Sequence, residues 1–464
     1  MMDFTNIKKI YFIGIGGIGV SAIARIMKKR GFEVVGSDLK ESEITKTLEK
    51  EGIEIFYQQK KEQINSSIDL VVKTAAVKSN EETIKAEELN IKILLRGEFL
   101  SIIANQYNLI AVAGSHGKTT TSSLLTVALK NIREDISFNI GGIVSNYGTN
   151  SDIKEDGIFV TEADESDGTF LKLLPYIAIL NNLDPEHLDY YGNFENLKKA
   201  FYDFAYSSRV VVWNGDDKNL KSIFLDTCSL NGYVKFISFG FDNSNNYRVE
   251  DIIENGFTTT FSVLKDGIPL RDTPFTIPML GKHNVLNALA AIVAIDQNDL
   301  NPTDIDRVDF SNFTGTKRRF ELIFKDKDRE ISYYDDYAHH PKEMNALFET
   351  ILNDKYRTII LYQPHRYTRT RDSFNEIVEV LKKVPYLIVL KEYAASEKVI
   401  EGATAFDIFQ KLDSNNHREL FFAKTIESAK EKILSLVKDK DIVFSVGAGN
   451  LNQVLYDIKS NFKN

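Results

Sequence analysis

The sequence lacks the features of a secreted, membrane-spanning or nucleic-acid-binding protein. Its only cysteine, Cys228, excludes an internal disulfide framework and fits a reducing compartment. It contains no apolar run of the roughly 18 residues that a membrane span requires. The net charge of −9 argues against a nucleic-acid binder, although local basic clusters such as Lys317–Arg319 can still hold anionic small molecules. These absences favour a cytoplasmic protein that acts on small molecules.

The length and the apolar pattern predict three α/β domains in series. At 464 residues the chain is too long for a single hydrophobic core. Short apolar runs alternate with helical patterns, which is typical of parallel α/β units. The pattern pauses before Leu109 and again at Thr314-Gly315-Thr316, so the predicted domains are 1–107, 108–314 and 315–464. Within the second domain, alternating residues on either side of Asp266-Gly267 predict a β-hairpin.

The first of two glycine loops, Gly14–Gly19, lies between a predicted strand and a predicted helix. Asp38 follows at the end of the next strand, as in a dinucleotide-binding fingerprint. The pattern itself specifies only a diphosphate that backbone N–H groups approach closely, and both NAD and a UDP-sugar carry one. A tight strand-to-helix turn without any ligand would also favour glycines. The loop alone leaves these three interpretations open.

The second glycine loop begins another helix and contains Gly-Lys-Thr, the core of a phosphate-binding loop. Lys118 is placed to reach the β- and γ-phosphates of ATP, and the Thr119 hydroxyl to bind Mg²⁺. Val112 stands where the extended pattern has its first glycine, which argues against a generic nucleotide hydrolase but not against ATP binding. Two phosphate loops in one chain disfavour a simple dehydrogenase.

Acidic residues and histidines follow the next predicted strands. Four carboxylates lie within Glu162–Asp167, where a strand end facing a phosphate loop is a usual source of Mg²⁺ ligands. A solvated acidic loop is the alternative. The following strand leads into Asn181–Asp189, which contains one histidine. Six of the seven histidines lie in candidate site motifs, and His417 does not, which favours a functional role for the group. The six are His116, His187, His283, His339, His340 and His365.

Eight sequence elements, in order, resemble those of the Mur ligases, the ATP-dependent amide-forming enzymes of peptidoglycan precursor synthesis. The resemblance extends from about residue 10 to about residue 450. Its elements are Gly14–Gly19, Gly114–Thr121, Glu162–Gly168 with Phe170-Leu171, Asn181–Asp189, Gly281–Ala288, Lys317–Phe320, Asp335–Pro341 and Gln363–Thr370.

The resemblance implies a Rossmann-like N-terminal domain that binds a UDP-sugar and a central ATPase-like domain with a parallel sheet and a phosphate loop. A Rossmann-like C-terminal domain would bind the incoming amino acid. The narrower likeness within the family implies UDP-N-acetylmuramate and L-alanine as substrates, with ATP and Mg²⁺ as cofactors. It also implies a cytoplasmic protein without nucleic-acid partner or membrane insertion, and we expect a monomer or weak homodimer.

The resemblance also implies the residues of each site. The UDP-sugar would be bound by Gly14, Gly16, Gly17, Gly19 and Asp38. ATP would be bound by Gly114, Ser115, His116, Gly117, Lys118, Thr119 and Thr120, with His283, Asn284 and Asn287 about the adenine and Arg319 and Asp336 near phosphate or ribose. Mg²⁺ would be bound by Thr119, Glu162 and His187, and the amino acid by Tyr337, His339, His365, Arg366 and Arg369. Several members carry a carbamylated lysine, but Lys198 and Lys199 do not fall in that register, so no such modification is predicted.

The expected chemistry assigns catalytic roles to six of these residues: Lys118, Glu162, His187, His339, His365 and Arg366. Phosphoryl transfer to a sugar carboxylate makes an acyl phosphate and depends on charge neutralisation and in-line positioning. The α-amine that attacks next must lose a proton, and either His339 or His365 is a base of a suitable type. Arg366 or Arg369 would hold the carboxylate of the amino acid by a bidentate pair.

Three rival functions have different requirements. A recycling ligase would add the preformed peptide L-alanyl-γ-D-glutamyl-diaminopimelate to the same sugar, and the residues of Gln363–Thr370 disfavour so bulky an acceptor. A nicotinamide-dependent oxidoreductase would leave the second glycine loop and the carboxylates without a role. A non-catalytic UDP-sugar sensor would be expected to have a degraded site, whereas Lys118, Thr119, Glu162 and His187 are all present.

Overall fold

A computed structural model describes residues 4–225, 233–298, 302–352, 356–395, 397–412 and 417–462. Cys228 lies outside these ranges. The described residues form two compact units: the first extends to Pro278 and includes Asn284–Thr314, and the second contains Met279–His283 and the chain from Gly315 onward. Three sheets, each mainly parallel and accompanied by helices, confirm the predicted α/β class. No helix in the described part of the chain combines the length and apolarity needed to cross a bilayer.

The first sheet places a glycine loop at its topological switch point. It consists of β1 (Lys9–Ile13), β2 (Glu33–Ser37), β3 (Glu54–Phe56), β4 (Leu70–Lys73) and β5 (Lys92–Leu95). Its helices are α1 (Ile18–Lys29), α2 (Glu43–Lys50), α3 (Glu81–Glu88) and α4 (Arg96–Ala104). The parallel order β3-β2-β1-β4-β5 reverses direction beside β1, the position at which ligands bind in open α/β sheets. The loop Gly14–Gly19 begins at the carboxyl end of β1.

The central sheet brings three chemical motifs to one edge. Its parallel part has the order β13-β12-β11-β10-β6-β9-β7, and antiparallel pairing extends the sheet beyond β13 and β7. Strand β10 and all of β6 after Asn108 are apolar and buried on both faces, as expected for the middle of a parallel sheet. Because β6 lies between β9 and β10, the loops that follow these three strands are neighbours.

The elements of the central sheet have the following bounds. The strands are β6 (Asn108–Ala113), β7 (Ile136–Val144), β8 (Thr149–Asp152), β9 (Ile158–Glu162), β10 (Ile177–Leu180), β11 (Val210–Asn214), β12 (Lys235–Gly240), β13 (Tyr247–Asn255), β14 (Thr258–Lys265), β15 (Ile268–Pro269) and β16 (Phe275–Ile277). The helices are α5 (Lys118–Ile132), α6 (Leu188–Tyr191), α7 (Phe194–Tyr206), α8 (Lys218–Phe224) and α9 (Lys282–Asp296).

The predicted hairpin is present, but it is part of a larger antiparallel group. Strands β14 and β15 pair across Asp266 and Gly267, both of which have positive φ, as a tight hairpin turn requires. The main partner of β14 is β13, which the sequence analysis missed. Strand β13 is polar and half exposed, and its register shifts between Glu250 and Ile253. Its sequence therefore lacks the regular alternation of apolar and polar residues that identifies a strand.

The first and central sheets share one apolar core within the first unit. Helix α4 packs against the short 3₁₀ helix Thr169–Lys172 so closely that a Cβ at Gly97 would overlap the side chain of Thr169. An ion pair at 3.1 Å joins the Arg96 guanidinium to the Asp164 carboxylate beside this contact. The first glycine loop and the acidic segment after β9 therefore belong to the same compact unit.

The second unit contains a six-stranded sheet in the order β17-β18-β22-β19-β20-β21, in which β17 alone is antiparallel to its neighbour. Its strands are β17 (Glu321–Asp326), β18 (Ile331–Asp336), β19 (Thr358–Tyr362), β20 (Tyr386–Leu390), β21 (Glu419–Ala423) and β22 (Ile442–Val446). Its helices are α10 (Pro341–Ile351), α11 (Tyr367–Asp372), α12 (Phe374–Leu381), α13 (Ala405–Lys411), α14 (Ile426–Leu436) and α15 (Gln453–Ser460). The carboxyl ends of β18 and β19 lead into the two C-terminal motifs of the sequence analysis.

Candidate active site

The first glycine loop is hydrogen-bonded to the end of β2. The Ser37 carbonyl accepts hydrogen bonds from the N–H groups of Gly14 at 2.8 Å and Ile15 at 3.0 Å. The Asp38 carboxylate accepts from Gly16 N at 2.8 Å and from Leu39 N at 2.7 Å. In this structure Asp38 binds the loop itself, so it does not present the free acid that a dinucleotide-binding protein directs to a ribose.

A buried carboxylate binds Ser37, the residue that holds this loop. Glu82 is fully buried and accepts hydrogen bonds from Tyr11 Oη at 2.6 Å, Ser37 Oγ at 2.9 Å and Asn80 Nδ2 at 3.2 Å. Burial raises the pKa of the Glu82 carboxyl, and the three donors oppose that shift. The Ser37 side chain is thus bound by Glu82 of α3, and the Ser37 backbone carbonyl binds the glycine loop.

The second glycine loop lies between β6 and α5 and is hydrogen-bonded to the loop that follows β10. The Asn182 backbone carbonyl accepts a hydrogen bond from Ser115 N at 3.2 Å, and the Asn182 side-chain oxygen accepts one from His116 N at 2.8 Å. The Ser115 hydroxyl accepts from Asp184 N at 2.8 Å. Gly117 has φ +79°, and a Cβ there would overlap the Asn287 side chain, so both conformation and space require glycine.

A polar network links α5 to α9 beside the second glycine loop. Thr121 Oγ1 donates to Asn287 Oδ1 at 3.2 Å and accepts from Asn181 Nδ2 at 2.9 Å. Asn287 in turn donates to Asn284 at 3.3 Å. The structure therefore connects Asn284 and Asn287, two of the predicted adenine-site residues, to the phosphate loop. Thr119 and Thr120 lie in the first turn of α5, whereas His283 is exposed and belongs to the second unit.

Lys118 is the first residue of α5, and its ammonium group is enclosed by acceptors. It donates to Gly114 O, to Ser115 O at 3.4 Å, and to both carboxylate oxygens of Glu165 at 3.0 Å. Burial would lower the pKa of Lys118, but the nearby carboxylates, Glu165 foremost, raise it above its usual value. The lysine is therefore charged at neutral pH.

The carboxylates after β9 are not equivalent. Glu162 accepts from Gly141 N at 2.7 Å, Asp164 pairs with Arg96, and Glu165 pairs with Lys118. The ligand atoms of Glu165, Glu186 and His187 lie within 4.8 Å of one another. His187 is exposed at the N-cap of α6 with φ +54°. The structure thus groups the predicted metal residue His187 with two carboxylates that the prediction did not include.

In the second unit, Asp336 organises the end of β18. Its carboxylate accepts from Phe320 N and Ala338 N, each at 2.8 Å. Burial raises the pKa of Asp336 to about 6, against the opposing effect of Arg319. The Arg319 guanidinium lies 5.4 Å from the ring centroid of Tyr337. These three predicted residues are therefore neighbours.

The predicted amino-acid residues form a second cluster in this unit. His339 Nδ1 is 2.9 Å from the Tyr337 carbonyl oxygen. The His365 ring stacks on Tyr393, with centroids 5.6 Å apart and an interplanar angle of 6°. Arg369 Nη1 lies 3.2 Å from His365 Nδ1. Arg366 is exposed, with φ +68°, at the start of α11.

Sequence models of Mur ligase domains match three consecutive stretches of the chain. The Mur ligase family catalytic domain matches residues 9–108, the Mur ligase middle domain 112–295, and the Mur ligase glutamate ligase domain 318–449. The chain belongs to the Mur ligase family. It is therefore an ATP-dependent ligase that forms amide bonds, in agreement with the function predicted from sequence.

Similar proteins are known along the full length of this Mur ligase. It is 36% identical over 456 residues to the UDP-N-acetylmuramate–L-alanine ligase of Geotalea daltonii, covering 97% of each chain. A solved UDP-N-acetylmuramate-alanine ligase from Thermotoga maritima shares 28% identity and a TM-score of 0.83, with coverage of 98% of this chain and 99% of that one. A murein peptide ligase from Psychrobacter arcticus shares the fold, with a TM-score of 0.69 at 22% identity and coverage of 98% of each chain.

The site contains residues that the sequence analysis did not single out. Glu165 and Glu186 were hidden among other acidic residues of the same motifs, and Asn182 was one polar residue of a longer motif. Glu82 carries no local signal, because a glutamate in the first turn of a helix is ordinarily solvated. His417, the histidine outside every motif, is buried with Nδ1 2.6 Å from the Val384 carbonyl oxygen.

His339 and His365 are expected to remain neutral between pH 6 and 8. Burial lowers the pKa of each imidazole to about 4; Arg369 adds to the effect at His365, whereas Glu343 opposes it at His339. Since the pKa of an unfolded histidine is about 6.5, the contribution of these two residues to stability is present above that pH and is lost as the pH falls toward 4. Imidazole NMR titration should show no midpoint above about pH 5 for either ring. A midpoint near 6.5 for either residue would contradict this expectation.

Proposed function

We propose that this Mur ligase joins L-alanine to the carboxylate of UDP-N-acetylmuramate, with conversion of ATP to ADP and phosphate. The substrate pair is supported by the full-length likeness to ligases named for that reaction. The chemistry is supported by three motifs that meet at one edge of the central sheet: the second glycine loop Gly114–Thr121, here called the ATP loop, the buried Glu165, and the segment of Asn182 and Asp184 that is hydrogen-bonded to the loop. The cytoplasmic location and the oligomeric state stay predictions.

The first step would activate the sugar carboxylate. One carboxylate oxygen attacks the γ-phosphorus of ATP, the bond to the β–γ bridging oxygen breaks, and ADP leaves with that electron pair. The product is an acyl phosphate, whose phosphate is a far better leaving group than oxide. Lys118 would neutralise charge on the transferring group, and the positive end of α5 would face the phosphates.

The second step would form the amide. The neutral α-amine of L-alanine attacks the acyl carbon, a C–N bond forms, and the acyl C–O bond breaks to release phosphate. The amine gives up a proton, which a neutral imidazole can accept; His339 and His365 are both suited by their lowered pKa values. Arg369, adjacent to His365, would hold the carboxylate of the amino acid.

The donor set at the edge of the central sheet fits a divalent cation. Carboxylates and hydroxyls supply the hard oxygen atoms that Mg²⁺ prefers, and Glu165 and Glu186 lie beside His187. Thr119, Glu162 and His187 would hold the ion, with the two further carboxylates close by. When bound, it would neutralise charge on the phosphates.

Phosphate release from ATP tests the proposal directly. The purified protein is given ATP, Mg²⁺ and UDP-N-acetylmuramate, with L-alanine in one reaction and L-alanyl-γ-D-glutamyl-diaminopimelate in another. We expect release that requires both the sugar and L-alanine, together with a product of the mass of the joined amide. Turnover with the peptide but not with L-alanine would overturn the proposed acceptor, and no turnover with either would overturn the substrate pair.

A further inference from the structure

The ammonium group of Lys118 has no donor left for a nucleotide. An ammonium group carries three N–H donors. In this structure Lys118 meets the Gly114 carbonyl, the Ser115 carbonyl and both carboxylate oxygens of Glu165. The Lys118 side chain is 17% exposed and that of Glu165 is 2% exposed, so water does not substitute readily for either partner. A phosphate oxygen can therefore bind Lys118 only if one of these acceptors gives way.

Glu165 is the acceptor that a phosphate would displace. The two carbonyls belong to the ATP loop and stay with it, whereas Glu165 comes from the segment after β9. A phosphate group next to Lys118 would bring negative charge against a buried carboxylate, which is strongly unfavourable. The backbone of Glu165 is fixed, because its carbonyl accepts from Tyr191 Oη at 2.7 Å and Gly168 N at 3.1 Å. The carboxylate would thus move by side-chain rotation alone.

We propose that Glu165 is a positioning residue that serves as the internal counter-ion of Lys118, competes with the phosphates of ATP for it, and thereby weakens ATP binding. The pair holds the Lys118 ammonium group in place and charged, and ATP binding exchanges one anion for another. The inference rests on the ATP site of the proposed function but not on the identity of the sugar or the amino acid. The alternative is a permanent ion pair that stays intact while the loop backbone alone holds the phosphates.

The test is ATP binding to Glu165→Gln by isothermal titration calorimetry in EDTA. Without divalent cations ATP is not consumed, and any role of Glu165 toward a metal ion does not contribute. We expect ATP to bind about 10-fold more tightly than to the unmodified protein, because the amide cannot act as a competing anion. Equal or weaker binding by a variant that circular dichroism shows to be folded at the temperature of the titration would overturn the proposal.

Two further variants separate competition for Lys118 from a general change of charge. Asp167→Asn removes a carboxylate of the same segment that instead accepts from Thr169 N at 3.0 Å, and it should leave ATP affinity within about twofold. In a double-mutant cycle, the gain in ATP affinity from Glu165→Gln should be clearly smaller when Lys118→Ala is also present. A gain of the same size without Lys118 would contradict the competition.

Failure of this inference and failure of the proposed function are distinguishable. If the protein binds ATP but does not join L-alanine to the sugar, the substrate assignment fails and the competition at Lys118 is still measured. If it ligates L-alanine but Glu165→Gln shows no gain in ATP affinity, the competition fails and the ligase assignment stands.

Discussion

Lys118→Ala is expected to lower ligase turnover by at least about 10²–10³-fold, the usual cost of removing one preorganised charge from a polar active site. Lys118 is the cation that the structure places at the start of α5, next to the backbone of the proposed ATP loop. The loop proposed to bind the UDP-sugar, Gly14–Gly19, lies on the first sheet and makes its own contacts to Ser37 and Asp38, so the affinity for UDP-N-acetylmuramate should change little. Phosphate release measures the first effect, and calorimetry with UDP-N-acetylmuramate the second.

The matched control addresses the carboxylate that Lys118→Ala leaves behind. Removing one member of a buried ion pair costs about 3–5 kcal/mol of stability, so the single variant is expected to melt earlier. Lys118→Ala combined with Glu165→Gln should recover much of that stability without recovering turnover. If either protein retains a tenth of the original turnover, Lys118 does not have the assigned role.

Arg369→Ala is expected to raise the KM for L-alanine by about 100-fold while kcat and the KM for UDP-N-acetylmuramate change little. A guanidinium that binds a carboxylate through two hydrogen bonds contributes about 1.5–3 kcal/mol, which a truncated side chain loses. Arg369→Lys should be intermediate, since it keeps the charge but not the planar fork. Steady-state kinetics with each substrate varied in turn measures these constants.

Arg371 provides a control two residues away on the same helix. It is exposed and pairs with Asp372, so Arg371→Ala should leave every Michaelis constant within about twofold. If Arg369→Ala behaves like Arg371→Ala, the amino-acid carboxylate is bound elsewhere. A fall in kcat without a change in the KM for L-alanine would instead indicate that Arg369 acts through His365.

Motifs at the ends of buried strands were predictable because they depend on local pattern. Strand β6 is a continuous apolar run, and the glycines and lysine that follow have one common structural use. The contact between Asn182 and His116 spans 66 residues and exists because β10 pairs with β6, an order that no local pattern specifies. The motifs could thus be found from the sequence, but not all of their mutual contacts.

The different environments of the carboxylates after β9 could not be predicted. Glu162, Asp164 and Glu165 lie within four positions and have the same chemistry, so the sequence cannot say which one is buried. The fold turns Glu165 toward Lys118 and Asp164 toward Arg96. The environment of Glu82 was still less predictable, because its hydrogen-bond donors come from β1, the end of β2 and the N-cap of α3. Only the assembled first domain gives that residue its role.

The contact between Gly97 and Thr169 limits how the domains of this family can be recombined. Three separate domain models suggest parts that could be exchanged between relatives. Yet α4 and the 3₁₀ helix at Thr169 meet with no room for one added methyl group. A chimaera that takes its first domain from another ligase must therefore keep a glycine at position 97, or inherit both sides of this contact from the same parent.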